Sequence, residues 1–195
     1  SAFLGDLGIT SSAFPEENCS ASQAACLAAP SASSPEIDAA RLNAVVLYQQ
    51  SLAVPGRRRM GDPQVRHGEK LFISAGCGEC HQPDQRTADD APLAFLAGQS
   101  IHPYTDLLLH DMGDDLADGR PDFDAGASEW RTPPLWGIGL SEQVNGHAAY
   151  LHDGRARTLL EAVMWHGGEA RNAANAVRGM GKSDREALLD FLGSL

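Results

Sequence analysis

The sequence predicts an all-α domain with long inserted loops, and three observations carry that prediction. The first is a well-marked helix ahead of Cys77. Asp62 is a good N-cap, Pro63 suits the first helical position, Val65, Gly68, Phe72 and Ala75 share one face, and Gly76 stops the run. The second is a C-terminal helix over 183–195, opened by a Ser183 and Glu186 capping box and carrying Leu188, Leu189, Leu192 and Leu195 toward a core. The third is that no alternating strand pattern precedes Cys77. Gly68 stands out in the first of these. Glycine inside a helix costs about 1 kcal/mol, so its presence marks a place where something approaches the helix closely.

Taken in order, residues 1–34 are rich in Ser, Ala and Pro without strong periodicity and read as loop, with a short helix around 2–7. Cys19 and Cys26 lie in this stretch, and with the other two thiols committed elsewhere they are the natural disulfide pair, the alternative being two free thiols. A helix follows, with Ser34 as N-cap, Pro35 at its first position, and Leu42, Val45, Val46 and Leu52 at helical spacing until Pro55. Within it Val45, Tyr48, Ser51 and Leu52 repeat the spacing of Leu188, Phe191, Ser194 and Leu195, so residues 1–55 read as the tail of a preceding, related domain and 56–195 as a domain of its own. Arg57, Arg58 and Arg59 form a basic linker, read as solvated surface or as a clamp onto a neighbouring domain. Residues 82–182 must contain inserted loops, with a short helix over 103–113 and then an acidic loop holding Asp114, Asp115, Asp118, Asp122 and Asp124. Calcium takes carboxylate ligands, but this spacing follows no known loop pattern, and solvated surface or a docking face for a basic donor is the stronger reading. Thr158 and Glu161 open a last helix whose apolar face carries Leu159, Ala162, Val163 and His166 before Gly167 and Gly168 end it.

The run Cys77-Gly78-Glu79-Cys80-His81 organises these elements. Two thiols and an imidazole at this spacing form the attachment site of a c-type haem, with a thioether from each sulfur and His81 as proximal iron ligand. A thioredoxin-like pair would need a strand-helix-strand context, and a structural zinc site a second ligand pair at short spacing; the sequence has neither. In cytochromes c the N-terminal and C-terminal helices cross tightly just ahead of the haem motif, and Gly68 resembles that contact, so a cytochrome c-like domain is the expected architecture. The chain has 26 acidic and 15 basic residues and a net charge of -11. That balance argues against nucleic acid or an anionic membrane as partner and suits a basic redox protein. No apolar run approaches the roughly 20 residues of a spanning helix. Covalent haem attachment implies export, and the chain begins at Ser1, so a processed periplasmic protein is expected.

Three further stretches carry a resemblance: Trp130-Arg131-Thr132-Pro133-Pro134-Leu135-Trp136-Gly137, Tyr150-Leu151-His152-Asp153-Gly154-Arg155-Ala156-Arg157-Thr158-Leu159 and Trp165-His166-Gly167-Gly168-Glu169-Ala170. With the haem motif they resemble the di-haem oxidoreductase family, often labelled thiol oxidoreductases, which is related to bacterial di-haem cytochrome c peroxidases. The resemblance covers essentially the whole chain and implies two cytochrome c-like domains in the full protein, this chain holding the C-terminal one. The single Cys-x-x-Cys-His motif is a departure. The related peroxidases place a Met ligand where His166 stands, which points to His166 as the distal iron ligand and, with imidazole in place of thioether, to a lower potential. A hydrogen-bonded core histidine is the plain alternative, and Met112, Met164, His102, His110 and His147 are weaker ligand candidates. By the same resemblance Arg131, His152 and Arg155 would sit at the haem edge or its propionates, ordinary surface hydrogen bonding being their other reading. The expected function is electron transfer through one covalent haem within a di-haem oxidoreductase, partnered by a redox protein and by the N-terminal haem domain. A peroxidase-like enzyme reacting at the iron, and haem used only for structure or sensing, are the alternatives.

Overall fold

The computed structural model describes residues 2–30, 32 and 34–195, and the chain divides into two units, Ser1–Ala53 and Val54–Leu195. The first holds α1 (Ala2–Leu7), α2 (Ala24–Leu27) and α3 (Ala39–Ser51). A Cys19–Cys26 disulfide closes the loop that leads into α2. Reciprocal hydrogen bonds, Thr10 N–H to Glu36 Oε2 at 3.0 Å and Glu36 N–H to Thr10 Oγ1 at 3.1 Å, hold the approach to α3. They also explain why α3 starts later than expected. Glu36 is spent on Thr10, Ser34 donates to the Pro15 carbonyl at 2.8 Å, and Asp38 becomes the N-cap by accepting the Arg41 N–H at 2.8 Å. No residue of α3 is buried, and Val46, Leu47, Tyr48 and Leu52 are all at least 45% exposed.

The second unit runs through α4 (Pro63–Ser74), β1 (Gln85–Arg86), β2 (Ser100–Ile101), β3 (Leu109–Asp111), β4 (Glu129–Arg131), α5 (Ser141–Asn145), α6 (Leu159–Met164), α7 (Arg171–Gly179) and α8 (Lys182–Leu192). Asp62 caps α4 by accepting the Gln64 N–H at 2.9 Å, Pro63 opens it, and Gly76 leaves it at φ +89°. Its buried face, Val65, Gly68 and Phe72, lies on α8, which contributes Ala187, Leu188, Phe191 and Leu192. The crossing point is Gly68, where a Cβ would fall 1.9 Å from the Ala187 carbonyl oxygen. α8 begins at Gly181 with no side-chain cap, so the Ser183 and Glu186 capping box does not form. The three arginines are each paired within this unit. Arg57 makes a bidentate pair with Glu69 and lies over the Phe191 ring, Arg58 donates to the Gly193 carbonyl, and Arg59 pairs with Asp62 and Asp190. They staple α4 to the end of α8 within the unit.

The expectation of an all-α domain is corrected: with only the described residues assigned, 42% of the chain is helix and 8% strand or isolated bridge, mixed and loop-rich. β1 pairs antiparallel with β2, and β3 with β4, placing His110 opposite Trp130. Strands of two or three residues are too short to show a period of two. The helix expected over 103–113 is absent because Tyr104 and Leu107 take φ of +56° and +62°, outside the right-handed region, and β3 follows.

Candidate functional site

The end of α4 delivers the motif directly. After the left-handed turn at Gly76 the chain makes a single tight turn over Cys77–Glu79, and His81 N–H returns to the Cys77 carbonyl at 2.9 Å. His81 Nδ1 donates to the Tyr104 carbonyl at 3.0 Å, and its ring lies against Phe72. Burial pushes its pKa down to about 4, so the imidazole is neutral. Burial likewise pushes the Cys77 thiol up to about 11; it raises Cys80 too, with the charges of Asp106 and Glu169 adding to it.

α6 supplies the second imidazole. Thr158 caps the helix through the Glu161 N–H at 3.0 Å, and Trp165 ends it. His166 follows, its Nδ1 donating to the Ala162 carbonyl at 2.8 Å and its pKa held low by burial. The rings of His81 and His166 stand 6.4 Å apart, centre to centre. Each Nδ1 is occupied by a carbonyl, which fixes the tautomer and leaves the Nε2 lone pair for a metal. Metal–nitrogen bonds of about 2.0 Å, with roughly 1.1 Å from nitrogen to ring centre, separate two imidazoles on one metal by about 6.2 Å. The two histidines fit a shared iron on spacing, tautomer and charge, and Cys77 and Cys80 lie on the turn that leads into His81.

The other expected residues gather around two tryptophans. His152 stacks on Trp130 at 3.6 Å and 9°, and Arg155 lies over Trp165, the neighbour of His166, while its Nε donates to Asp153 at 2.6 Å. Arg131, on β4 opposite Leu109, is exposed, and its guanidinium has no partner among the described residues. Among the weaker ligand candidates, His102 pairs with Asp84 at the surface and Met164 packs against the core. Residues not foreseen complete the site: Tyr104 orients His81, and Asp106 and Glu169 bracket His110. Among the described residues the one group of three potential ligand atoms lying within 4.8 Å of one another is Cys80, Asp106 and His110, and none of these belongs to the acidic loop considered for calcium.

Among solved structures the chain is similar to hydrazine synthase of Kuenenia stuttgartiensis, determined under xenon pressure, with a TM-score of 0.50 and 20% identity. The match covers 83% of this chain and 57% of that one, so the chain spans less than two thirds of its neighbour, and at this identity the likeness is one of fold. No curated protein matches the chain. A family model does: the one described as "Di-haem oxidoreductase, putative peroxidase" matches residues 1–195, and the chain belongs to that family.

Proposed function

We propose that the Val54–Leu195 unit holds one haem, joined by thioethers to Cys77 and Cys80 and ligated by His81 and His166, and carries electrons as one part of a larger di-haem oxidoreductase. The observation that carries this reading is the 6.4 Å spacing of His81 and His166, each with its Nδ1 tied to a backbone carbonyl. Haem bound there supplies one-electron redox chemistry. Tyr104 and Ala162 keep each imidazole in the tautomer that presents Nε2, and burial keeps both neutral. Arg155, and Arg131 on β4, would pair with the propionates, and His152 would stand beside them; Arg155 above Trp165 and His152 on Trp130 support this placement. Residues 1–55 are the tail of a preceding haem domain, which the exposed Val46, Leu47 and Tyr48 of α3, and Leu52 just after it, support. The Cys19–Cys26 disulfide supports a periplasmic setting, and the net charge of -11 a basic redox partner. No helix among the described residues is long and apolar enough to cross a membrane.

The family's description favours a second reading, in which the chain reacts with peroxide. The two part at His166. In the carrier reading the ferric protein is low-spin and slow to bind cyanide, His166→Ala becomes high-spin and binds it readily, and Met112→Leu changes nothing. A high-spin wild type with fast peroxide turnover overturns the carrier reading. Covalent attachment is checked by intact mass after acid and organic extraction, where a chain that releases its haem refutes the thioethers.

A further inference from the structure

His110 lies between two carboxylates that belong to the two halves of the site. Its Nε2 is 2.8 Å from Asp106 Oδ2 and its Nδ1 is 2.9 Å from Glu169 Oε2. A neutral imidazole has one N–H and one lone pair, so one of these contacts would set a lone pair against an anionic oxygen; only the imidazolium satisfies both. On the His81 side, Asp106 has a side chain only 5% exposed and donates its backbone N–H to the Cys80 carbonyl at 2.9 Å, two residues after the Tyr104 carbonyl that orients His81. On the other side Glu169 follows His166 by a single turn, and its second oxygen accepts the Asp111 N–H at 3.0 Å.

The same two segments touch backbone to backbone. A Cβ on Gly167 would fall 2.7 Å from the Met112 carbonyl oxygen, and one on Gly168 2.1 Å from that of Asp111. The turn after His166 is thus pressed on residues 111–113, and beside that seam one charged side chain joins the halves.

We propose that His110, as an imidazolium bridging Asp106 and Glu169, is the positioning residue of the His166 segment, and that loss of its second proton at alkaline pH releases that segment. The consequence for the iron rests on His166 being the distal ligand, as proposed above; the lock itself does not.

Hydrogen bonds to Glu169, then Asp106, outweigh burial and hold His110 above its ordinary 6.5. A histidine whose folded pKa is raised contributes stability in full below its ordinary value and loses it as pH climbs through the raised one. The carboxylates set the acid edge. Burial pulls Asp106 up, but the Leu108 N–H, His110 and Thr132 leave it low; His110 and the Asp111 N–H do the same for Glu169. Both stay ionised across the neutral range. The remaining groups around His110 are Asp111 on its own strand, whose charge opposes Glu169, the Cys80 sulfur, the neutral His81, and across the ladder Trp130 with His152 stacked on it.

The test follows amide hydrogen exchange of residues 167–170 in the haem-loaded chain, corrected for intrinsic base catalysis, alongside the absorption spectrum. Between about pH 6 and about pH 9 the wild type should lose roughly tenfold or more of its protection there, with the low-spin spectrum changing in step. His110→Gln should exchange fast at both values, with no transition. Glu169→Gln keeps the imidazole but removes one anion, and should lower the transition midpoint by about one unit or more. His67→Gln, which loses a surface pair with Asp184, should leave the transition in place. Flat protection in the wild type, a wild-type transition in His110→Gln, or an unmoved midpoint in Glu169→Gln overturns the proposal, and the last decides alone if His110→Gln does not fold. A spectrum that is high-spin throughout while the exchange transition persists supports the lock and removes His166 as ligand.

Discussion

His81 leans on the helix-pair core, whereas His166 stands on the turn that follows the short helix α6. Behind His81 the rings of Phe72, Tyr104 and Phe191 pack at 5.2 to 6.0 Å, and Phe72 and Phe191 are at most 2% exposed. Behind His166 lie a helix of six residues, two glycines and a carboxylate 57% exposed. Apolar packing does not titrate, so the first imidazole is held alike at every pH that leaves the fold intact. A lock of charges at a partly wet surface is weaker and answers to protons and salt. One site therefore pairs a fixed imidazole with a releasable one, and on the function proposed above these would be the two ligands of the iron.

The comparison breaks most easily at the helix crossing. Gly68→Ala sets a methyl group 1.9 Å from a backbone oxygen, which no side-chain rotation relieves. It should cost about 3 kcal/mol, read as a lower urea midpoint, and an unchanged midpoint would mean that α4 and α8 separate freely. Gly168→Ala makes the matching clash on the other side, 2.1 Å from the Asp111 carbonyl oxygen and at φ +47°. Its expected cost is about 1–3 kcal/mol, confined to the turn: exchange of residues 167–170 should rise while α8 stays protected, and equal loss in both would deny the division into two kinds of support. Arg57→Met is smaller. It leaves Glu69, whose side chain is 37% exposed, to water, and after allowance for screening about 1 kcal/mol should be lost. The hydrogen bond from Arg57 holds Glu69 below its ordinary 4.5, so this contribution is present above that value and lost as pH falls through the lowered one. Urea midpoints measured against pH should therefore fall less steeply on the acid side in Arg57→Met than in the wild type.

What could be read from the sequence follows the same division. α4 was legible because its signals are local: Asp62, Pro63 and Gly76 punctuate it, and Gly68 has no use except close contact. His166 was legible as a candidate because a run of helical periodicity leads to it. The start of α3 was misplaced because Glu36 bonds to Thr10, 26 residues away, which no local rule sees. The fold class failed in the loops for a related reason. Among the described residues, strands of only two or three residues, and Tyr104, Leu107, Phe123 and Leu151 at positive φ, leave no periodic trace. His110 entered as a weak iron ligand, and its real partners are spread over Asp106 and Glu169, 59 residues further on. Asp106 and His110 stand four apart in the stretch expected to be a short helix, where the chain instead turns at Leu107 and enters β3.

The smallest effect expected is the most discriminating. Thr158 Oγ1 accepts the Glu161 N–H at 3.0 Å, and Glu161 in turn accepts the Arg157 N–H at 2.9 Å, so the pair closes the first turn of α6. Thr158→Ala should lower stability by about 1 kcal/mol, the usual worth of an N-cap. Two supports act on His166: the α6 backbone through the Ala162 carbonyl, and the His110 lock through Glu169. Ala162 is itself buried, and its N–H goes to the Thr158 carbonyl at 3.0 Å, a bond the substitution leaves intact. With the lock closed at neutral pH the turn after His166 stays seated, so Thr158→Ala should shift the urea midpoint while the ferric spectrum stays low-spin. Raising the pH then removes the second support, and the variant should lose its low-spin spectrum at lower pH than the wild type. A high-spin fraction that already grows at neutral pH would transfer control of His166 from the carboxylate lock to α6.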